Sequence, residues 1–137
     1  RSPDGTLTFT LPMGDKKLPG IAAEDIGRCA YGLFKQGSAF IGQSVGIAGE
    51  HLTGAEMAAA LTQALGQPVH YHAISPDAYR ALGFPGAEDL GNMFQFKHDF
   101  AALYCGRRDL TVSRTLNPAL QTFAQWLEDH KSRISLE

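Results

Sequence analysis

The four residues Thr53-Gly54-Ala55-Glu56 lie between two strand-like runs, and that placement constrains the fold more than any other feature of the chain. A threonine hydroxyl can accept the third helical amide while a glutamate three residues on reaches back to the amide of the cap, so the tetrapeptide reads as a helix start. Leu52 and Met57 stand where a hydrophobic staple would close it. Met57, Leu61, Ala64 and Leu65 continue one apolar face, and Gly66 with Pro68 ends it. Upstream runs Gln43 to Ala48, a short apolar strand pattern whose Gly46 suits close approach of another backbone. Downstream runs Val69 to Ile74, the next strand pattern. Strand, helix and strand patterns thus follow one another along this stretch.

The flanking segments extend the pattern. Thr6 to Leu11 alternates, with Leu7, Phe9 and Leu11 on one face, and Pro12 stops the ladder before a turn at Met13-Gly14-Asp15-Lys16. Ile26, Cys29, Ala30, Leu33 and Phe34 predict one apolar helical stripe, with Glu24 and Asp25 in the first turn and Gly37 as the stop. Ser75-Pro76-Asp77 starts another helix that ends at Gly83. Pro85 to Tyr104 is mostly helically spaced, although Gly91 weakens it. Thr111, Ser113 and Thr115 alternate with Val112 and Arg114, which predicts an edge strand or an extended arm. Thr122 and Gln125 form a second capping box, and Phe123, Trp126, Leu127 and His130 give the last helix its buried face.

A chain of 137 residues makes a single domain, 1–137, and one of that size buries roughly 70% of its unfolded surface. A net charge of −2 argues against electrostatic binding to nucleic acid or an anionic membrane. No apolar run approaches the roughly 20 residues of a membrane span. Arg1-Ser2-Pro3-Asp4-Gly5 is polar and turn-like rather than a secretory signal, so a cytoplasmic placement, with the nucleus also open, is expected. Cys29 and Cys105 make neither a disulfide framework nor a metal-ligand spacing.

Chemistry-bearing constellations are sparse. Gly83, Gly86 and Gly91 have the wrong spacing for a dinucleotide fingerprint, and Gly46 and Gly49 lack a third partner. Tyr31 is followed four residues later by Lys35, a spacing that can lower a phenol's pKa, or else a helical tyrosine with a solvated lysine. His70 and His72 share one strand face, which suits a metal or a half-exposed sheet surface, and no third ligand follows. Cys105 lies near Arg107 and Arg108, whose charges could lower its pKa; the alternative is an ordinary thiol. Those arginines with Arg114 form the one basic cluster, fit for a phosphate, an acidic partner or a solvated face. Met93, Phe94 and Phe96 are the ligand-pocket candidates, polarisable and aromatic surface suited to a flat apolar ligand or a partner; the alternative is plain core. No catalytic, cofactor-gripping or metal-ligating residue is identified.

Read in order, several short motifs resemble one family. They are Leu11-Pro12 followed by Gly14-Asp15, Leu18-Pro19-Gly20-Ile21, Ala23-Glu24-Asp25-Ile26-Gly27 and Phe40-Ile41-Gly42-Gln43. They continue through Leu52-Thr53 with Glu56, Leu82-Gly83-Phe84-Pro85-Gly86-Ala87 and Asn92-Met93-Phe94, and close with Leu116-Asn117-Pro118 and Trp126-Leu127. Together they resemble the C-terminal half of NmrA-like proteins, an atypical branch of the short-chain dehydrogenase/reductase superfamily, and within it the animal members regarded as sensors of the NADPH/NADP balance. The resemblance implies an α/β fold, the C-terminal part of an NAD(P)-binding Rossmann-type protein, with this segment as the smaller, substrate-side part made of helices with short strands. It implies that the glycine fingerprint and the catalytic-type tyrosine and lysine lie upstream, and that Gln43 to Ala48 joins the large parallel sheet as a late strand. NADP would be bound mainly by the upstream half, without a metal. The partners implied are that N-terminal half or another protein, and a flat apolar small molecule, but no nucleic acid directly and no membrane. The function implied is regulatory, extending to transcriptional control. The alternatives are the substrate half of an NADPH-dependent reductase acting on quinone-like or other flat carbonyl compounds, and a free-standing interaction domain.

Overall fold

A computed structural model describes residues 4–136. The expected turn at Arg1-Ser2-Pro3 lies outside the described residues, but its continuation is present: Asp4 accepts the Thr6 amide at 3.0 Å and Gly5 has φ +84°. This turn delivers β1 (Leu7–Leu11), which pairs in parallel with β4 (Val69–Ala73), Leu7 opposite Val69 and Leu11 opposite Ala73. A parallel pair needs a crossover. Here it contains α1 (Ala23–Lys35) and α2 (Gly54–Leu65), and α2 packs on both strands. The capping box of α2 forms as expected, and Gly66 closes the helix at φ +67°.

A second ladder was not legible in the sequence. β2 (Leu18–Gly20) runs antiparallel to β3 (Glu50–Leu52), Leu18 opposite Leu52 and Gly20 opposite Glu50. Gln43 to Ala48, expected as a strand, forms no ladder. It is an irregular arm whose partners are side chains and packing rather than a neighbouring strand. The Ala48 amide donates to the buried Ser113 hydroxyl at 3.0 Å, and a Cβ at Gly46 would overlap the Arg107 carbonyl. The close backbone approach expected of Gly46 is therefore present, without the strand.

After β4 come α3 (Pro76–Arg80), α4 (Ala87–Asp99), α5 (Ala101–Gly106), α6 (Leu110–Leu116) and α7 (Phe123–His130). Ser75 caps α3 through the Ala78 amide, and Gly91 lets α4 approach α3 because its missing side chain makes room for Arg80. Residues 111–115, expected as a strand or arm, form α6 instead. Asp109 caps it through the Thr111 amide at 2.6 Å, and Ser113 and Thr115 donate to the carbonyls of Asp109 and Thr111, so hydroxyls that could compete with a helix are satisfied within it. No helix among the described residues is long and apolar enough to cross a membrane.

The core joins α1 to α6 and the turn beyond it: Cys29, Leu116 and Leu120 are buried, with Ile21, Leu33, Phe40 and Val112 against them. The buried face of α1 is rotated from the expected stripe. Asp25, Cys29 and Gly32 face inward, whereas Ile26 is 49% and Phe34 83% exposed. Gly32 sets this face, since any side chain there would collide with the Leu116 carbonyl.

Asp25 makes the same face polar at one end. Fully buried, its carboxylate accepts Arg28 Nη1 at 2.9 Å, Asn117 Nδ2 at 3.0 Å, the Gln121 amide at 2.9 Å and Gln121 Nε2 at 3.3 Å. Burial is the largest single influence and pushes its pKa up. The Gln121 amide, Arg28, Asn117 and the Gln121 side chain together outweigh it and hold the pKa below the ordinary carboxylate value.

Two predictions follow from α1. Gly32→Ala lowers unfolding free energy by roughly 1–3 kcal/mol through overpacking against backbone, whereas Gly27→Ala, with open space around its Cβ, raises it by up to about 1 kcal/mol. Chemical denaturation of both variants checks the pair. Asp25→Asn replaces an acceptor oxygen by an N–H donor that faces other donors, and costs about 2–3 kcal/mol at pH 7. Because the native pKa lies below the unfolded one, this contribution is present above about pH 4 and is lost as pH falls through the native value. The gap between wild type and variant, followed by thermal unfolding across pH, therefore narrows only in acid.

Candidate functional site

A cleft of about 630 Å³ opens between the N-terminus of α1, the β2–β3 ribbon, Met57 of α2, and α7 with the turn that follows it. Local sequence builds each wall. The Asp25 hydrogen bonds fix the turn at Gln121, and the Thr122–Gln125 capping box then launches α7 from it. The first turn of α7 is held on the ribbon by Glu50, whose carboxylate accepts the Phe123 amide at 2.6 Å, while the Gly49 amide donates to the Gly20 carbonyl at 2.7 Å. Leu127 is buried on the inner side of α7, so Phe123, Trp126 and His130 form one aromatic edge of the cleft. Trp126 lies parallel to His130, centroids 4.5 Å apart and planes 5° apart, and parallel to Phe123 at 6.4 Å and 10°.

The polar lining is specific. His130 Nδ1 donates to the Trp126 carbonyl at 2.8 Å, which turns the Nε2 edge of the ring away from that carbonyl. Glu24 accepts from Gln121 Nε2 at 3.2 Å, and its pKa is lowered first by its own backbone amide and then by Gln121. An apolar concavity with a few fixed polar groups suits a small flat ligand.

The residues singled out in the sequence lie elsewhere. Met93, Phe94 and Phe96 are on α4, outside the lining of this cleft. Phe94 is buried edge-on against Tyr79, Met93 takes the Lys97 ammonium at its sulfur, and Phe96 is 51% exposed beside Phe100 and Tyr104. The structure thus divides the three between a small aromatic core and the surface. Tyr31 is 65% exposed with the Lys35 ammonium 5.6 Å from its ring centre, a surface cation–π pair. His70 and His72 are exposed on β4. Among the described residues no three His, Cys, Asp or Glu side chains are grouped to hold a metal. The lowered pKa considered for Cys105 is not found. Burial pushes the thiol up, and the opposing charges of Lys17 and Arg108 do not overcome it. The fully buried Cys29 is raised too, by burial and by the Asp25 charge. Arg108 is half-buried over the Tyr104 ring at 3.6 Å and donates to the Tyr104 carbonyl, while Arg107 and Arg114 are exposed.

The cleft itself was missed, although its aromatic edge was read as the buried face of the last helix. Phe123, Trp126 and His130 at i, i+3 and i+7 on a helix of eight residues mark a face wider than Leu127 alone needs. The other wall, Gly20 to Glu24, fell among the motifs that carry the family resemblance but had no chemical role assigned.

Known proteins share this architecture. NmrA-like family domain-containing protein 1 of Rattus norvegicus is 44% identical over 57 residues, 42% of this chain and 32% of that protein. The negative transcriptional regulator NmrA, solved with NAD, superposes with a TM-score of 0.73 at 19% identity over 98% of this chain and 48% of NmrA. Its NADP complex gives 0.65 at 20% identity over 93% and 44%. A nucleoside-diphosphate-sugar epimerase from Staphylococcus aureus gives 0.71 at 21% identity over 88% of this chain and 43% of its own. The chain therefore spans less than half the length of these relatives, and the α/β elements described above share the fold of NmrA-like, Rossmann-type structures. The NmrA-like family profile matches residues 1–127, and the chain belongs to that family.

Proposed function

We propose that this chain is the ligand-facing portion of a regulatory protein that responds to NADP(H). The observation that carries this reading is the cleft: an apolar, aromatic-edged cavity of about 630 Å³, set in a family whose regulator NmrA has been solved with NAD and with NADP. The Tyr31–Lys35 pair lies on α1 outside the cleft lining, so it does not serve this cavity.

The described residues fit a flat ring better than a pyrophosphate. A pyrophosphate needs bare amides at a glycine-rich helix start following a parallel strand. β4 leads instead into Ser75-Pro76, where proline has no N–H and the Ser75 hydroxyl already takes the Ala78 amide. β1 leads into a turn in which Gly14 sits against His98. In this reading the phosphates and adenosine are gripped by residues outside this chain. The apolar surface of Phe96, Phe100 and Leu103, each more than half exposed, is contact surface for that nucleotide-binding portion.

Calorimetric titration of NADPH, and separately of NADP, into the isolated chain tests the division of labour. Neither should give saturable heat. Saturable binding of either dinucleotide to these residues alone would overturn the assignment of the phosphate grip to another part of the protein.

A further inference from the structure

Three of the five histidines commit a ring nitrogen within the protein. His51 Nε2 donates to the Arg108 carbonyl at 2.9 Å, His98 Nδ1 lies 3.0 Å from the Asp99 carboxylate, and His130 Nδ1 donates to the Trp126 carbonyl. His70 and His72 make no hydrogen bond among the described residues, and both are exposed. Side chains alternate along a strand, so these two project from one face of β4 with Cα atoms roughly 6–7 Å apart. Tyr71 between them fixes which face that is. Its ring packs with Phe9 and covers the start of α2 at Gly54, and its hydroxyl bonds the carbonyls of Gly14 and Leu11. With Tyr71 held on the α2 side, the two imidazoles stand on the outer side of the β1–β4 pair, beside Thr8 and Thr10.

We propose that His70 and His72 form a two-imidazole site for a borderline divalent transition ion such as Zn(II), Ni(II) or Cu(II). Imidazole nitrogens suit these ions, whereas Mg(II) and Ca(II) take oxygen ligands. The ladder to β1 already holds β4 extended, so only the side-chain torsions need settling for both rings to turn a nitrogen to one point. No third His, Cys, Asp or Glu is grouped with them among the described residues, so water fills the rest of the shell and the ion stays open to further ligands. Asp4, on the turn that feeds β1, adds negative charge nearby. Its pKa is lowered first by the Thr6 amide and least by His70, which puts the carboxylate within electrostatic reach of the pair. The site is separate from the cleft, whose lining contains neither histidine, and it does not depend on the cleft taking a ligand.

Zn(II) titrated into the chain and followed by NMR of the histidine rings tests the site. The rings of His70 and His72 should shift together and saturate at one ion per chain, while those of His51 and His130 stay unchanged. Mg(II) over the same range should move neither member of the pair. His70→Gln and His72→Gln alter exposed positions and keep the fold by circular dichroism. Each should weaken Zn(II) binding by about ten-fold or more, whereas His98→Gln should leave it unchanged. Zn(II) binding that survives both substitutions in β4, or that is lost with His98→Gln instead, overturns the assignment, as does the absence of a saturable shift at His70 and His72.

Discussion

One buried carboxylate organises this molecule. Asp25 lies in the first turn of α1 and accepts four hydrogen bonds, three of them from residues more than 90 positions away or from the backbone they carry. An ionised group away from water is costly unless its acceptor sites are filled. Filling them requires the segment from Asn117 to Gln121 to adopt a single geometry against α1. Asn117 completes that turn internally by accepting the Ala119 amide at 3.2 Å. α7 starts at the end of it, so the position of the aromatic edge follows from the satisfaction of Asp25.

Small residues complete what the carboxylate begins. Gly32 lets α1 touch the end of α6, Gly46 lets the irregular arm touch the corner between α5 and α6, and Gly54 lets α2 start beneath the Tyr71 ring. In each case backbone or an aromatic ring occupies the volume a Cβ would need, so these approaches depend on the absence of a side chain rather than on conformational freedom. The hydroxyl of Tyr71 then lies 3.0 Å and 3.3 Å from the carbonyls of Gly14 and Leu11, which accept its proton in turn and tie β4 to the end of β1. The cleft is the space left between two bodies fixed in this way, the β2–β3 ribbon with the start of α1 on one side and α7 on the other.

Local chemistry was legible in the sequence wherever it is self-contained. Both capping boxes, the Ser75 cap and the Gly66 stop need only neighbouring residues, and all are present; the strands at 7–11 and 69–73 were legible from their own pattern, although each pairs with the other. Readings failed where a distant partner decides, or where a nearby cap or an unexpected core residue type overrides the pattern. Residues 43–48 have a strand's composition, but the Ser113 hydroxyl and the Arg107 carbonyl take the place of a neighbouring strand. Residues 111–115 alternate like a strand, yet Asp109 caps them into a helix. The apolar stripe of α1 was displaced because an acid and a glycine, types seldom counted as core, carry its inward face. For the site, Trp126 and His130 were visible as a helix face, but their cleft needed Ile21 and Glu50 brought from over 70 residues away.

The Gln121 backbone amide reports this linkage most directly, because among the described residues it donates to the buried Asp25 carboxylate. Native-state hydrogen exchange at that one amide reports whether the linkage holds the molecule together. Protection close to that of the slowest amides of α1 is expected, with opening only as the chain unfolds as a whole. Exchange at Gln121 as fast as in the exposed turns, while α1 stays protected, would show that the carboxylate does not anchor the wall of the cleft.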